Sequence, residues 1–272
     1  MKISLPRPVR IGVDAGGTFT DIVVVDAAST VHAFKSPSVP ADPAAGVMGA
    51  VELAAGRLGL ETAELLESCA LFVHGSTVAT NIVLEKKGAR VALITTRGFR
   101  DSLEIRRGIR RDVWDSRAPL PELLVPRYLR FPVSGRLSAT GEELAPVDAG
   151  EVRDVARALA AEGVESVAIC LLHSYSNPAH EHAVKDILER EMPGVFVSCS
   201  ADVSATIGEY ERSSTVVVNA YVAPRIAPYL RALEARLAGA GLRQKLLVVQ
   251  SNGGAAAIDK LAVSPVHMVL SG

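Results

Sequence analysis

The chain has 272 residues, 49% hydrophobic and 22% charged, with Lys+Arg 29 against Asp+Glu 30 for a net charge of −1. That length suits one or two domains, and the apolar content excludes intrinsic disorder. Near-neutrality makes a broad polyanion-binding surface, and so a nucleic-acid partner, a poor reading.

In chain order, Arg10 to Asp14 reads as a buried strand, Ala15 to Thr20 as a turn and Asp21 to Asp26 as a second strand. The spacing permits an antiparallel hairpin, with Ser29 to Lys35 as a third strand. A helix is expected from Pro43 to Leu58, with Asp42 and Pro43 as N-cap and first residue. Ala70 to His74 is a short strand, Thr77 to Lys87 a helix ending at Gly88, and Arg90 to Thr95 an apolar strand. Arg97 to Arg130, rich in arginine and holding Trp114, reads as a long ordered excursion, partly helical near Phe99 to Arg107. Its arginines suit a solvated face, a subunit contact or an anion-facing loop.

Alternation then returns: helix over Val152 to Ala161, strand over Ser166 to Leu172, helix opened by Asn177-Pro178 and running to Met192, strand over Val195 to Ser198. That pattern argues for a parallel α/β layer. Glu209 to Gly241 is a helical stretch with breaks expected near Pro224 and Pro228. Lys245 to Gln250 and Val266 to Leu270 read as strands. A mixed sheet with helices on both faces is expected, in two regions, 8–200 and 201–272.

Cys69, Cys170 and Cys199 form no C-x-x-C and read as buried free thiols of a reducing cytoplasm. Met1 to Arg10 has no apolar signal-peptide core, and no run approaches the roughly 18 apolar residues of a membrane span.

The strongest chemical signal is Asp14-Ala-Gly-Gly-Thr-Phe-Thr-Asp21. Gly16 and Gly17, in a tight turn between strands, let backbone N–H groups approach a phosphate, and Thr18 and Thr20 can add hydroxyl donors. Asp14 at the strand end can hold Mg²⁺, directly or through water. The alternative is a plain hairpin turn. Neither a P-loop nor a dinucleotide-binding G-x-G-x-x-G is present. His74, between a strand and a helix start, suits either anion or substrate contact or a structural role; Thr77, Thr80 and Asn81 either line the same mouth or cap the helix. His180-Glu181-His182 lacks zincin spacing, and residues two apart on a helix diverge, so a shared metal is disfavoured. Glu211 and Arg212 are cleft-facing or surface-paired, and Asn252 follows a strand as His74 does.

The chain resembles the hydantoinase/oxoprolinase family. The matching strings are Val13 to Asp21, His74 to Asn81, Glu85 to Thr95, Gly98 to Asp101, His173 to Glu181, Glu209 to Arg212, Asn219 to Tyr221 and Gln250 to Gly254. The resemblance implies one lobe of an actin-like (ribonuclease H-like) ATPase fold, with a second phosphate loop expected beyond Gly272. It implies an ATP- and Mg²⁺-dependent enzyme subunit, hydantoinase A-like, that phosphorylates a carbonyl oxygen. A lactam or hydantoin would then be hydrolysed, or a ketone carboxylated, with a second large hydantoinase B-type subunit. A non-catalytic module keeping the fold is the remaining alternative. The resemblance places Asp14 and His74 in catalysis, Gly16, Gly17, Thr18 and Thr20 on phosphates, and Thr77, Asn81, Glu211, Arg212 and Asn252 near substrate. A chain with one phosphate loop is expected to bind ATP weakly and not to turn it over.

Overall fold

A computed structural model describes residues 5–108, 114–115, 117 and 122–269. They form two compact units: one combines the chain up to Lys87 with the chain from Arg225 on, the other spans Gly88–Pro224.

In the first unit, β1 (Val9–Ala15), β2 (Phe19–Val25) and β3 (Val31–Pro37) form the antiparallel meander expected from the sequence. Alternation sends Val9, Ile11, Val13 and Ala15 inward and leaves Asp14 outside. In α1 (Pro43–Arg57), the Asp42 carboxylate accepts the Ala45 N–H at 3.1 Å and Pro43 opens the helix. Its Val47, Ala50, Val51 and Ala54 are fully buried, and it packs on β1, β2 and β3. After α2 (Thr62–Glu67), β4 (Cys69–Ser76) runs parallel to β1, setting His74 beside Val13 and Gly75 beside Asp14. The short α3 (Val78–Leu84) follows.

The second unit begins with β5 (Val91–Thr96), α4 (Ser102–Ile105) and β6 (Arg130–Val133). β7 (Arg136–Leu137) and β8 (Glu143–Ala145) make a small ribbon. Then come α5 (Ala149–Ala161), β9 (Ser166–Cys170), α6 (Ala179–Glu191), β10 (Phe196–Cys199) and α7 (Ser200–Val203). The parallel order β10-β9-β5-β6 is the α/β layer foreseen from the alternation. Every residue of β5 and β9 is buried, as for strands covered on both faces.

α8 (Glu209–Gly239) contains the division between the units. β11 (Leu246–Val249), β12 (Ala255–Ala257) and α9 (Ile258–Val263) return to the first unit. Its mixed sheet is ordered β12-β11-β4-β1-β2-β3.

Two local expectations are corrected. α8 runs unbroken through Pro224 and Pro228. A proline inside a helix costs about 3 kcal/mol, but Val216, Ile226, Leu230, Leu233 and Leu237 are fully buried, each contributing about 1.5–3 kcal/mol. Pro265–Met268 is a 3₁₀ turn where a strand was expected over Val266 to Leu270; the Ser251 N–H and hydroxyl both reach the His267 carbonyl, at 2.7 Å. Leu270 lies outside the described residues. The strands β6, β7, β8 and β12 were not foreseen. Of the Arg97–Arg130 excursion, residues 109–113, 116 and 118–121 lie outside the described residues; Ser102–Ile105 is α-helical, inside the Phe99 to Arg107 stretch where helix was expected.

Candidate functional site

A cavity of about 350 Å³ in the first unit gathers Gly16, Gly17, Thr20, Thr77 and Asn81, with Ser38, Glu85 and Lys87. The hairpin turn builds one wall. The Gly16 N–H donates to the Phe19 carbonyl at 3.0 Å, and the Ser38 hydroxyl donates to the Gly16 carbonyl at 2.7 Å. Thr20, fully buried, has its hydroxyl 3.0 Å from that of Ser38. The Thr77 N–H reaches the Ala15 carbonyl at 3.3 Å, tying the start of α3 to the end of β1. Val39, Pro43, Val78 and Ile82 make the apolar side.

The two glycines differ. A Cβ on Gly16 would sit 3.0 Å from the Phe19 carbonyl oxygen, so the turn itself needs glycine there. A Cβ on Gly17 would meet only the Asn81 amide nitrogen, at 3.7 Å, and its φ is not positive. Nothing inside the fold requires glycine at 17; its bare backbone faces the cavity.

Thr18 is exposed beside the cavity, and its carbonyl accepts the Ser38 N–H at 3.0 Å. Asp14 is exposed on the outer face of β1. Its carboxylate lies over Gly75, where a Cβ would stand 3.2 Å from Oδ1. It faces Asp21 across the hairpin, and Asp21 pairs with Lys35 at 2.9 Å. Among the described residues no three His, Cys, Asp or Glu side chains group to hold a metal. One carboxylate can still serve Mg²⁺, which keeps several waters and takes phosphate oxygens.

His74 points the other way, with Phe72 and Ser76, into the core. It is fully buried, its Nε2 2.6 Å from the Tyr229 hydroxyl and the two rings edge-on. Burial lowers its pKa to about 4, so it is neutral at pH 7. This is the geometry of the structural reading of His74. Asn252 lies in the β11–β12 turn, where its Oδ1 accepts the Gly254 N–H at 2.9 Å.

The second unit holds Glu211 and Arg212. Glu211 pairs with Arg107 at 2.6 Å, and that guanidinium holds its carboxyl below the usual range. Arg212 is buried. Its Nη2 donates to the Leu171 carbonyl at 2.7 Å and its Nη1 reaches the Ser174 and Ser200 hydroxyls. The same hydroxyls donate to Oε1 of buried Glu181, at 2.6 and 2.7 Å, and the Leu171 and Ala201 N–H groups donate to that carboxylate. The side chain placed near substrate on sequence grounds thus anchors an internal polar network. His180 and His182 take separate partners, Glu143 at 2.7 Å and Asp202 at 2.9 Å, as their helical spacing required. Cys69, Cys170 and Cys199 are buried free thiols.

Sequence reasoning missed Ser38, Glu85 and Lys87 in the cavity and the burial of Glu181. Ser38 follows Thr20 by 18 positions, in a stretch with no chemical pattern of its own.

Residues 10–192 match the family model for the hydantoinase/oxoprolinase N-terminal region, and residues 212–272 match that for hydantoinase/oxoprolinase. The chain is 39% identical over 249 residues to caprolactamase subunit alpha of Pseudomonas jessenii, covering 91% of this chain and 36% of that protein. The nucleotide-free structure of acetone carboxylase superposes with a TM-score of 0.86 at 29% identity, over 96% of this chain and 39% of that one. The crystal structure of ATP-dependent caprolactamase from Pseudomonas jessenii superposes at 0.82 with 38% identity, over 91% of this chain and 36% of that one. The chain therefore spans little more than a third of the length of these relatives. Among the described residues no helix is long and apolar enough to cross a membrane. The α/β architecture with a mixed sheet, expected from the sequence, is shared with these two enzymes, and the chain belongs to the hydantoinase/oxoprolinase family.

Proposed function

We propose that this chain is part of an ATP-dependent enzyme that phosphorylates the carbonyl oxygen of a lactam- or hydantoin-type ring amide before the ring is hydrolysed. The observation that carries the reading is Gly17, a glycine that the fold does not need, exposing backbone to a cavity beside the hairpin turn. Such a backbone accepts the close approach of a phosphate, which a Cβ would obstruct.

The Gly16 N–H already serves the turn, so the Gly17 and Thr18 amides are the main-chain donors on offer, with the Thr18 hydroxyl. Thr20 and Ser38 keep the turn in shape from below. Asp14, exposed at the end of β1, would hold Mg²⁺ through water; the metal would offset charge on the transferring group. The carbonyl oxygen bonds to the γ-phosphorus as the β,γ-bridging oxygen leaves with ADP. Water then adds at the activated carbon, the C–N bond breaks as the amine takes a proton, and a second water cleaves the acyl phosphate so formed to release phosphate and the carboxylate. His74, neutral and enclosed, holds β4 in register beside Asp14 rather than exchanging protons with substrate.

The ring-amide substrate is supported by the 39% identity to a caprolactamase subunit. That relative is a named subunit, which supports a second large subunit of hydantoinase B type as partner. Ketone carboxylation is the second reading, favoured by the superposition on acetone carboxylase at 0.86.

The test is phosphate release by the full-length protein with its partner subunit, given Mg·ATP and a lactam, a hydantoin, or acetophenone with bicarbonate. Release stimulated by the cyclic amides and lost in Asp14→Ala is the expected result. Equal release by wild type and Asp14→Ala would leave only a non-catalytic module. Stimulation by the ketone alone would replace hydrolysis with carboxylation.

A further inference from the structure

His74 and Ser76 lie two apart on β4, so strand alternation turns both side chains to the same inward face, and both are fully buried. The buried hydroxyl of Tyr229, also in the first unit, serves both: it stands 2.6 Å from His74 Nε2 and is hydrogen-bonded to the Ser76 hydroxyl. The Ser76 oxygen in turn accepts the Val78 N–H at 3.1 Å, where α3 begins. A run of hydrogen bonds thus joins the core to the first turn of α3. Thr77, held between Ser76 and Val78, accepts the Asn81 N–H on its carbonyl at 2.9 Å. The Asn81 amide stands opposite Gly17, 3.7 Å from where a Cβ there would sit. With seven residues, α3 is too short to keep its place without such anchors.

We propose that Tyr229 is a positioning residue for nucleotide: by tying Ser76 to His74 it fixes the start of α3, and with it the cavity wall that faces the Gly17 backbone. The proposal rests on the phosphate reading of the cavity above. Thr77, Val78 and Asn81 are on the cavity lining and Ser76 and Tyr229 are not, so the two hydroxyls act through that wall rather than on the ligand. Without the phenol oxygen, the Ser76 hydroxyl loses its inner partner and is free to turn away from the Val78 N–H. Thr77 and Asn81 then shift relative to Gly17. Losing one neutral hydrogen bond changes an equilibrium by roughly two- to tenfold. A wall that meets the bound nucleotide alike before and during transfer shows its loss in the ATP concentration required more than in kcat.

The test measures phosphate release against Mg·ATP concentration for the full-length protein with its partner subunit, in wild type, Tyr229→Phe, Ser76→Ala and the double variant, with a melting temperature for each. Both single variants are expected to raise half-saturating ATP by about threefold or more while kcat falls less. The double variant should need no more ATP than Ser76→Ala, because both substitutions cut the same run of bonds. A lower melting temperature with wild-type half-saturation would make the Tyr229 hydroxyl a core group only and overturn the proposal. A double variant whose ATP requirement is the product of the two single effects would show that Tyr229 does not act through Ser76, and would overturn it too. Should Tyr229→Phe not fold, half-saturation in Ser76→Ala decides: unchanged, it overturns the proposal; raised, it supports it. Wild type that releases no phosphate from ATP with any substrate would defeat the phosphorylation reading itself, and the proposal with it.

Discussion

Arg212 and Glu181, two buried opposite charges, are bridged by the hydroxyls of Ser174 and Ser200. Removing one member of such a pair leaves the other buried without compensation, which costs about 3–5 kcal/mol, whereas replacing both with apolar groups is often near neutral. Arg212→Met is therefore expected to lower the unfolding free energy by several kcal/mol, and Arg212→Met with Glu181→Leu to lower it less. Urea unfolding of the three proteins checks this. A wild-type midpoint in Arg212→Met would show that the bridge contributes nothing.

His74 makes stability depend on acid. Its folded pKa of about 4 lies below the ordinary 6.5, so between those values the unfolded chain binds the extra proton. Its neutral form is fully accommodated above pH 6.5, and stability falls as pH drops toward 4. At pH 5 the loss is about 2 kcal/mol. Unfolding midpoints at pH 7 and pH 5 should differ less in His74→Gln than in wild type. An equal difference in both proteins would assign the acid sensitivity elsewhere.

The glycine pair separates folding from ligand approach. Gly16→Ala should lower the melting temperature, because its Cβ would press on the Phe19 carbonyl at 3.0 Å. Gly17→Ala should keep the wild-type melting temperature, its nearest neighbour being at 3.7 Å. It should nevertheless raise the ATP concentration needed for half-maximal phosphate release. Unaltered nucleotide dependence in Gly17→Ala would remove the phosphate role of that backbone.

The thiols should be inert while the protein is folded. Burial pushes Cys69 and Cys170 up to about 11, and raises Cys199 further. At pH 8 the thiolate fraction of the first two is about one in a thousand, and the thiolate is the reactive form. Iodoacetamide is expected to label them only after denaturant is added, which intact-mass spectrometry reads directly. Rapid native labelling at any of the three would contradict their burial.

The hairpin was legible because β1, β2 and β3 are local: alternation and turn residues specify them within Val9 to Pro37. The Asp42–Pro43 helix start was legible for the same reason. β12 and β6 were not, since three alanines and Arg-Phe-Pro-Val acquire strand character only from their neighbours β11 and β5. Of the cavity, Gly16, Gly17, Thr20, Thr77 and Asn81 could be read ahead from their chemistry. Ser38, Glu85 and Lys87 enter it only once the meander and α3 are folded. The Tyr229 partner of His74 lies 155 positions away, beyond any periodicity argument.

β11 completes the first unit's sheet by pairing Leu247 with Val73, far later in the chain than β4 itself. On the ribosome, Gly88–Pro224 emerges in full while β4 still has a bare edge and His74 still lacks Tyr229. A bare strand edge is a template for intermolecular pairing. A product cut short after Pro224 should therefore contain one unit with all its residues and one with an adhesive flank, so that nascent chains of this protein depend on a chaperone most until β11 has been made.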